Sequence, residues 1–375
     1  MTTDGLVHHA DVVGSLLRPR ELVDARAAMR QGQLPYPEYR HIEDQAVDAA
    51  LRLQEEAGLH VVTDGEMRRD IYFDFFVAGM DGLAMLPGAT VKFHGHDPSA
   101  DFEVQIPFSV TERVTAKDCP GVAEFQYASE RTDRRVKVTL PSPLIMICNF
   151  WNEHSQEAYP DPFELAIDAR DAVVDWMRQL ADVGCTYLQI DAPELATAFT
   201  DKTFRTQTLP GLGLDPDRFI EVGTEIIGTL GDVDLPGVTK ALHVCKGNGT
   251  RSWIGEGGYE AYAEHVLASA TGYDVFHLEY DDERSGGFEP LAQLPDEKVA
   301  VLGLVSTKWT RMEAPEELKA RIDDAAKFHP KERLALATQC GFASGAETAE
   351  DRKITDQTQT DKLRLVVDVA RDVWG

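Results

Sequence analysis

The chain has 375 residues, 43% of them hydrophobic, and a net charge of −27. That acidity excludes the basic face that nucleic acid or an anionic membrane surface would need; it fits a well-solvated protein. No apolar run approaches the ~20 residues of a membrane span, and no signal peptide is expected from the polar stretch Met1 to Ala10, with His8 and His9. Five scattered cysteines (119, 148, 185, 245, 340) make no disulfide framework, so a reducing, cytoplasmic location is expected.

Taken in order, a short apolar run, a polar motif and a helical stretch recur. Asp11-Val12-Val13-Gly14 leads to Ser15, Arg18 and Pro19; helical patterns follow at about 20–30 and 36–57, the second opening around Pro35 and Pro37 and stopping at Gly58. His60 to Thr63 leads to Asp64-Gly65-Glu66-Met67-Arg68-Arg69-Asp70. Residues 88–135 break the rhythm with scattered Gly and Pro and β-prone pieces, Phe102 to Phe108 and Ala123 to Ala128. They read as a β-hairpin-like insertion over one face. Val136 to Leu140 is the third run, followed by a helix over 162–183; Thr186 to Ile190 is the fourth, ahead of Asp191 and a helix over 216–230. Val238 to Leu242 precedes His243-Val244-Cys245, and a helix is expected over 259–270. Val275 to Leu278 precedes Glu279; Val299 to Val305 precedes Ser306-Thr307-Lys308; a helix spans 315–326. Leu334 to Ala337 precedes Gln339-Cys340-Gly341, and the chain ends in a helix over 356–374.

Eight runs alternating with helices predict an α/β fold, a single (β/α)8 TIM barrel over 1–375. The alternative, an open doubly wound sheet, lacks a G-x-G-x-x-G after the first run. In a barrel, active sites lie at the C-terminal strand ends. Ser15, Glu66, Asp191, His243, Cys245, Glu279, Lys308 and Cys340 all fall there.

His243 and Cys245 are two apart, so on a strand they point to one side. An imidazole and a thiol aimed at one point suggest zinc. Cys340 is the best third ligand and Glu279 the fourth, with His277 a weaker competitor; Cys119, Cys148 and Cys185 read as packing. Each residue also has a plain reading, as core thiol or loop carboxylate, and the shared rim favours a site. Glu66 and Asp191 can hold an ammonium group, while Ser15 and the backbone at Gly14 can hold a carboxylate. Alternatively, the two acids pair with Arg18, Arg68 or Arg69.

These motifs resemble, in order, the catalytic half of cobalamin-independent methionine synthase, within the barrel superfamily that includes uroporphyrinogen decarboxylase. Val13-Gly14-Ser15 looks like I-G-S, and Asp64 to Asp70 like H-G-E-x-x-R-x-D. Gln189 to Leu195 looks like Q-I-D-E-P-A-L, His243-Val244-Cys245 like H-x-C, Leu278-Glu279 with Arg284-Ser285 like I-E-x-x-R-S, and Gln339-Cys340-Gly341 like D-C-G. The resemblance implies zinc on His243, Cys245, Glu279 and Cys340. It also implies homocysteine bound by Gly14 and Ser15 through its carboxylate and by Glu66 and Asp191 through its ammonium. The implied activity is methyl transfer to the homocysteine thiol, as in a 5-methyltetrahydropteroyltriglutamate-homocysteine S-methyltransferase. The chain departs from the family in four ways, one of them a longer His243-to-Glu279 spacing with extra residues around Arg251 to Tyr259. It lacks the N-terminal half that helps bind polyglutamylated folate. It has Ser306-Thr307-Lys308 where the family has D-I-H with a proposed proton-donating His, leaving Lys308 as candidate proton donor or anion contact. The folate-stacking Trp has no secure counterpart near Asn149-Phe150-Trp151. These departures weigh against folate, and the donor is expected among a methyl-folate, a methyl-corrinoid carried on a corrinoid protein, and a small methylated compound. A second class is a zinc alkyltransferase or lyase joining a thiol such as coenzyme M to an epoxide; its sulfonate would not suit Glu66 and Asp191. A third is a non-catalytic barrel that binds a thiol or metal.

Overall fold

The computed structural model describes residues 7–249, 251–343 and 354–375; Met1 to Leu6 of the polar start lie outside them. Seven of the runs are parallel strands, hydrogen-bonded in the order Val61–Val62, Arg135–Pro141, Tyr187–Asp191, Thr239–Val244, Val275–Glu279, Val299–Val305, Leu334–Thr338. Burial on both faces explains their near-continuous apolar character. One face packs under the helices in the main core; the other gathers a smaller interior cluster of Val61, Tyr187, Ala241, Val275, Val299, Val301, Ala335 and Ala337. The result is a curled parallel sheet of TIM-barrel-like form.

The helices stand where periodicity and caps put them: Arg20–Arg30, Tyr36–Ala57, Pro162–Asp182, Pro216–Gly231, Pro315–Ala325 and Asp356–Trp374. Asp161 and Asp215 accept N-terminal amide protons of two of them, from Phe163 and Arg218. Gly58 closes another at φ 94°. The helix expected over 259–270 is instead one α turn, Glu260–Tyr262, running into a π turn, Ala263–Leu267.

The first run does not form a ladder strand. Ala10 makes a single parallel bridge to Leu336, and beyond it side chains take over. Lys137 Nζ donates to the carbonyl of Val12, Gln189 Nε2 to that of Val13 at 2.9 Å, and Thr63 Oγ1 to that of Gly14 at 2.7 Å. Asp11 ties this segment to three strands. It accepts from Lys137 Nζ at 3.1 Å and Tyr187 OH at 3.0 Å, and lies 3.4 Å from His277 Nε2. Apolar patterning cannot distinguish a strand from a segment held by side chains.

The stretch read as a hairpin-like insertion, 88–135, is more varied. Thr90–Gly95 pairs antiparallel with Phe102–Gln105 and with Ser252–Trp253, and Met80–Ala84 pairs with Ser109–Ala116. Pro120–Ser129 is a helix where Ala123 to Ala128 suggested extended structure. Pro120 stands at its first position, and Gly121, Phe125 and Ala128 bury one helical face.

Lys137→Met should destabilise the fold by roughly 3–5 kcal/mol, because it leaves Asp11 buried with one fewer partner. The urea midpoint of unfolding measures this; a change below about 1 kcal/mol would mean that Tyr187 and His277 suffice.

Candidate active site

Neighbours across a parallel ladder face the same side of the sheet. Asp191 stands opposite His243, and His243 opposite His277. Cys245 follows immediately beyond the end of its strand at Val244, and Cys340 lies just beyond Thr338. The ligand atoms of His243, Cys245 and Cys340 all lie within 4.8 Å of one another. Cys340 Sγ is 3.7 Å from His243 Nε2 and 3.9 Å from Cys245 Sγ. All three are buried, and His243 Nδ1 has no hydrogen-bond partner among the described residues. The Cys340 contact and burial hold the Cys245 thiol well above its ordinary range. A soft divalent cation replacing the thiol protons would ionise both sulfurs, and two thiolates with an imidazole are a fitting donor set for zinc.

His277 turns elsewhere. Burial and the nearby Lys137 push its imidazole down to about 4 against the pull of Asp11, so it is a neutral partner of that carboxylate. Glu279 lies outside the three-residue group. Its Oε2 accepts the amide of Lys246 at 2.9 Å, and its Oε1 accepts Arg284 Nη2 at 2.8 Å and Lys308 Nζ at 3.0 Å. Burial alone would raise its pKa, but Lys308, Arg284 and Lys246 outweigh burial and keep it ionised. Lys308 is fully committed: its ammonium also binds Asp281 Oδ2 at 3.1 Å, and it is not among the residues lining the cleft. In this structure Lys308, the candidate proton donor or anion contact, neutralises two buried carboxylates.

The three-residue group opens into a cleft of about 1500 Å³ that Ser15, Glu66 and Asp191 also line. Glu66 adopts φ 55°, a left-handed conformation costing on the order of 1–3 kcal/mol outside glycine. Its backbone is held there: the amide donates to Asp64 Oδ1 at 2.8 Å, and the carbonyl accepts from Arg69 N and Arg18 Nη2. Its Oε1 accepts Thr139 Oγ1 at 2.8 Å, while Oε2 has no partner among the described residues. Two glycines permit the close approach. A Cβ on Gly14 would stand 2.6 Å from Glu66 Oε1, and one on Gly341 only 2.0 Å from Ser15 Oγ.

Of the three arginines weighed as partners of the acids, Arg69 lies in ion-pair range of Glu66, and the other two are engaged elsewhere. Arg68 holds Glu43 and Asp44; Arg69 holds Glu124 and stands 3.9 Å from Glu66; Arg18 donates to backbone carbonyls. Among the described residues the Asp191 carboxylate bonds to Gln189 Nε2, at 2.8 Å, and burial pushes its carboxyl up to about 7, with His243 opposing and Glu66 adding.

Two residues of the cleft were not picked out from sequence. Glu194 follows Pro193 in a short helix, Pro193–Thr200, and accepts Tyr72 OH on Oε1 at 3.1 Å. Burial pushes its carboxyl up to about 8; its own backbone amide and Tyr72 oppose this, and Asp191 adds to it. The readable signal was a Glu where the Q-I-D-E-P-A-L pattern has Ala; Tyr72 offered none. Cys148, read as packing, is buried on a π turn, Met146–Phe150, and also lines the cleft. Trp151 points away, its indole N–H donating to the carbonyl of Tyr159 at 3.1 Å.

The raised carboxyl of Glu194 has a consequence for stability. Its folded pKa lies above the unfolded one, so between about pH 4 and pH 8 the unfolded chain ionises first and this group's contribution falls as pH rises. Glu194→Gln should therefore raise the melting temperature at pH 8, by roughly 2–4 °C, and leave it nearly unchanged at pH 4. Scanning calorimetry at the two pH values checks this; equal shifts at both would show that the acid does not titrate this way.

A family model for the catalytic domain of cobalamin-independent synthase matches residues 9–210. The uncharacterised proteins YxjH and YxjG of Bacillus subtilis are both 34% identical to the chain, each over 97% of it and 94% of their own length. A methionine synthase of Thermococcus kodakarensis is 24% identical over 96% of the chain and 93% of its own length. Among solved structures, a candidate vitamin-B12-independent methionine synthase from Listeria monocytogenes superposes with a TM-score of 0.73 at 25% identity, over 99% of both chains. A B12-independent methionine synthase from a Shewanella species, in complex with selenomethionine, shares the fold with a TM-score of 0.75 at 19% identity, over 98% of both chains. With its strand-end motifs meeting in one cleft, the chain belongs to the cobalamin-independent methionine synthase family.

Proposed function

We propose that the protein is a zinc-dependent methyltransferase that moves a methyl group onto the thiol of homocysteine. The observation that carries this reading is the shared cleft. A His-Cys-Cys group lines it together with Asp191, which no arginine among the described residues pairs with, and Glu66, which Arg69 approaches only to 3.9 Å. A thiol that also bears an ammonium group suits both. His243, Cys245 and Cys340 would hold zinc, and Glu279, beside the amide that follows Cys245, is the proposed fourth ligand once it yields an oxygen from Lys308 and Arg284. Zinc there supplies one thing: it lowers the pKa of a bound thiol so that the thiolate is present at neutral pH.

The chain's own residues do the rest. Glu66 and Asp191 accept hydrogen bonds from the ammonium group, which favours the ionised form of Asp191. The Ser15 hydroxyl and the backbone at Gly14 receive the carboxylate. Fixing both ends of the amino acid aligns its sulfur for in-line attack on a methyl carbon. The cleft extends past this end to Phe93, Phe102 and Trp253, with room for a second, larger substrate. A methyl-folate, a methyl-corrinoid or a smaller methylated compound is the proposed donor. The chemistry sets coenzyme M second, because Glu66 and Asp191 would repel its sulfonate.

Purified protein should carry about one zinc per chain, lost in Cys340→Ser; metal analysis decides, and a metal-free protein that still transfers methyl ends the zinc reading. Asp191→Asn should weaken homocysteine binding roughly 30-fold, about 2 kcal/mol, and binding of 2-mercaptoethanol hardly at all. Calorimetric titration measures both, and equal losses would remove the ammonium contact. Incubation of zinc-loaded protein with homocysteine and methyl-folates, methylcobalamin or S-methylmethionine tests the activity itself through the appearance of methionine.

A further inference from the structure

Methyl transfer to a thiol leaves one requirement that the residues assigned so far do not meet. When the methyl group leaves a neutral amine nitrogen, the electron pair left behind would make that atom an anion, and it needs a proton. Lys308 cannot reach the cleft without abandoning Glu279 and Asp281. Asp191 and Glu66 are proposed to be taken by the ammonium group of the thiol substrate.

Glu194 is placed differently. It is buried, it lines the cleft, and its two oxygens have unequal surroundings: Oε1 accepts the Tyr72 hydroxyl at 3.1 Å, and Oε2 has no partner among the described residues. Tyr72, which also lines the cleft, lies within electrostatic reach of Glu194, Cys245 and Asp191 at once, so the carboxyl stands near the thiol end of the cavity. Asp191 acts on Glu194 as well, and its neighbour Cys148 is a buried thiol held well above its ordinary range, first by burial and then by Glu194 itself. An unpaired carboxyl oxygen is costly to bury as an anion and much less so as an O–H.

We propose that Glu194, positioned by Tyr72, is the general acid that protonates the departing methyl carrier. The inference rests on the methyl-transfer reading above. As the thiolate sulfur bonds to the methyl carbon, the bond from that carbon to the carrier atom breaks. The carrier keeps the electron pair and takes the proton from Glu194 Oε2, leaving a carboxylate. The proton lost earlier from the thiol goes to solvent, and water in the open cleft restores the acid. The net change is thiol plus methylated carrier to thioether plus protonated carrier. The donor class follows: a methyl group on a neutral amine nitrogen, whose carrier would leave as an anion without a proton. Burial holds the carboxyl protonated up to about pH 8, which suits a donor acting near neutrality.

The test is single-turnover methyl transfer to homocysteine between pH 6 and 9.5, with a methyl-tetrahydropterin and with S-methylmethionine, whose leaving group is a neutral thioether and needs no proton. With the pterin, the wild-type rate should fall above about pH 8. Glu194→Gln should be at least ~100-fold slower and lack that limb, with homocysteine binding within about threefold of wild type and the sulfonium reaction spared. Tyr72→Phe should move the limb to higher pH, since the Tyr72 bond favours the carboxylate; a merely structural role would not shift it. Glu194→Gln with the wild-type rate or limb overturns the assignment, as does an equal loss with both donors. So does a wild type that accepts only donors needing no proton. A wild type inactive with every donor overturns methyl transfer and this inference together, whereas an active wild type with an unaffected variant overturns only the general acid.

Discussion

The site depends on how the first segment of the chain is held. Residues 11–14 carry Gly14 and Ser15 to the cleft, yet they have no ladder on either side beyond the bridge at Ala10. Their carbonyls are bonded by Lys137, Gln189 and Thr63, from three different strands or strand ends, and Asp11 binds side chains on three strands. A ladder would fix the segment through its backbone at strand spacing. Side-chain bonds instead let it sit where Ser15 can press against Gly341 and Gly14 against Glu66. The cost is a buried ammonium and carboxylate beneath the site, tolerable because each finds several partners.

The same logic governs charge around the cleft. Buried cations are abundant: Lys137, Lys246, Lys308, Arg18, Arg69 and Arg284. Most have carboxylate, carbonyl or hydroxyl partners outside the cleft, and none stands at hydrogen-bond distance from Asp191 or Glu194. The result is a set of buried acids whose carboxyls rise because desolvation has no strong opposing charge: Asp191 to about 7 and Glu194 to about 8. Glu279, equally buried, goes the other way because Lys308 and Arg284 bond it directly. Environment, not residue type, separates an anion that must stay charged from acids that can change state.

Much of this was legible in the sequence. Strand runs, helix caps and the order of motifs are local signals, and they placed seven parallel strands and six long helices within a residue or two. The His-x-Cys pair was readable because strand periodicity fixes which side chains converge. Cys340 was readable because a strand end brings residues distant in sequence to one rim. What stayed hidden depends on partners far away in the chain. Nothing local shows that Lys308 meets Asp281 and Glu279, that Glu66 is bent to a positive φ, or that Tyr72 reaches Glu194 across 122 residues. The Pro120–Ser129 helix was missed because a short apolar segment reads alike as strand or buried helix.

These hidden contacts explain how the cleft can combine roles that conflict in water. A lysine at the end of the seventh apolar run looks like a replacement for a proton-donating histidine, but an ammonium exposed in this cavity would neutralise the carboxylates proposed to hold an amino group. Pairing Lys308 with Glu279 and Asp281 removes that charge from the cleft and keeps Glu279 ionised beside the thiols. A carboxyl that is neutral by burial can then occupy the cavity without competing for the ammonium group. Placing Glu194 three residues after Asp191, on the far side of Ala192-Pro193, gives one strand end two acids with different partners, Gln189 for one and Tyr72 for the other. The division of labour follows from where the cations are buried.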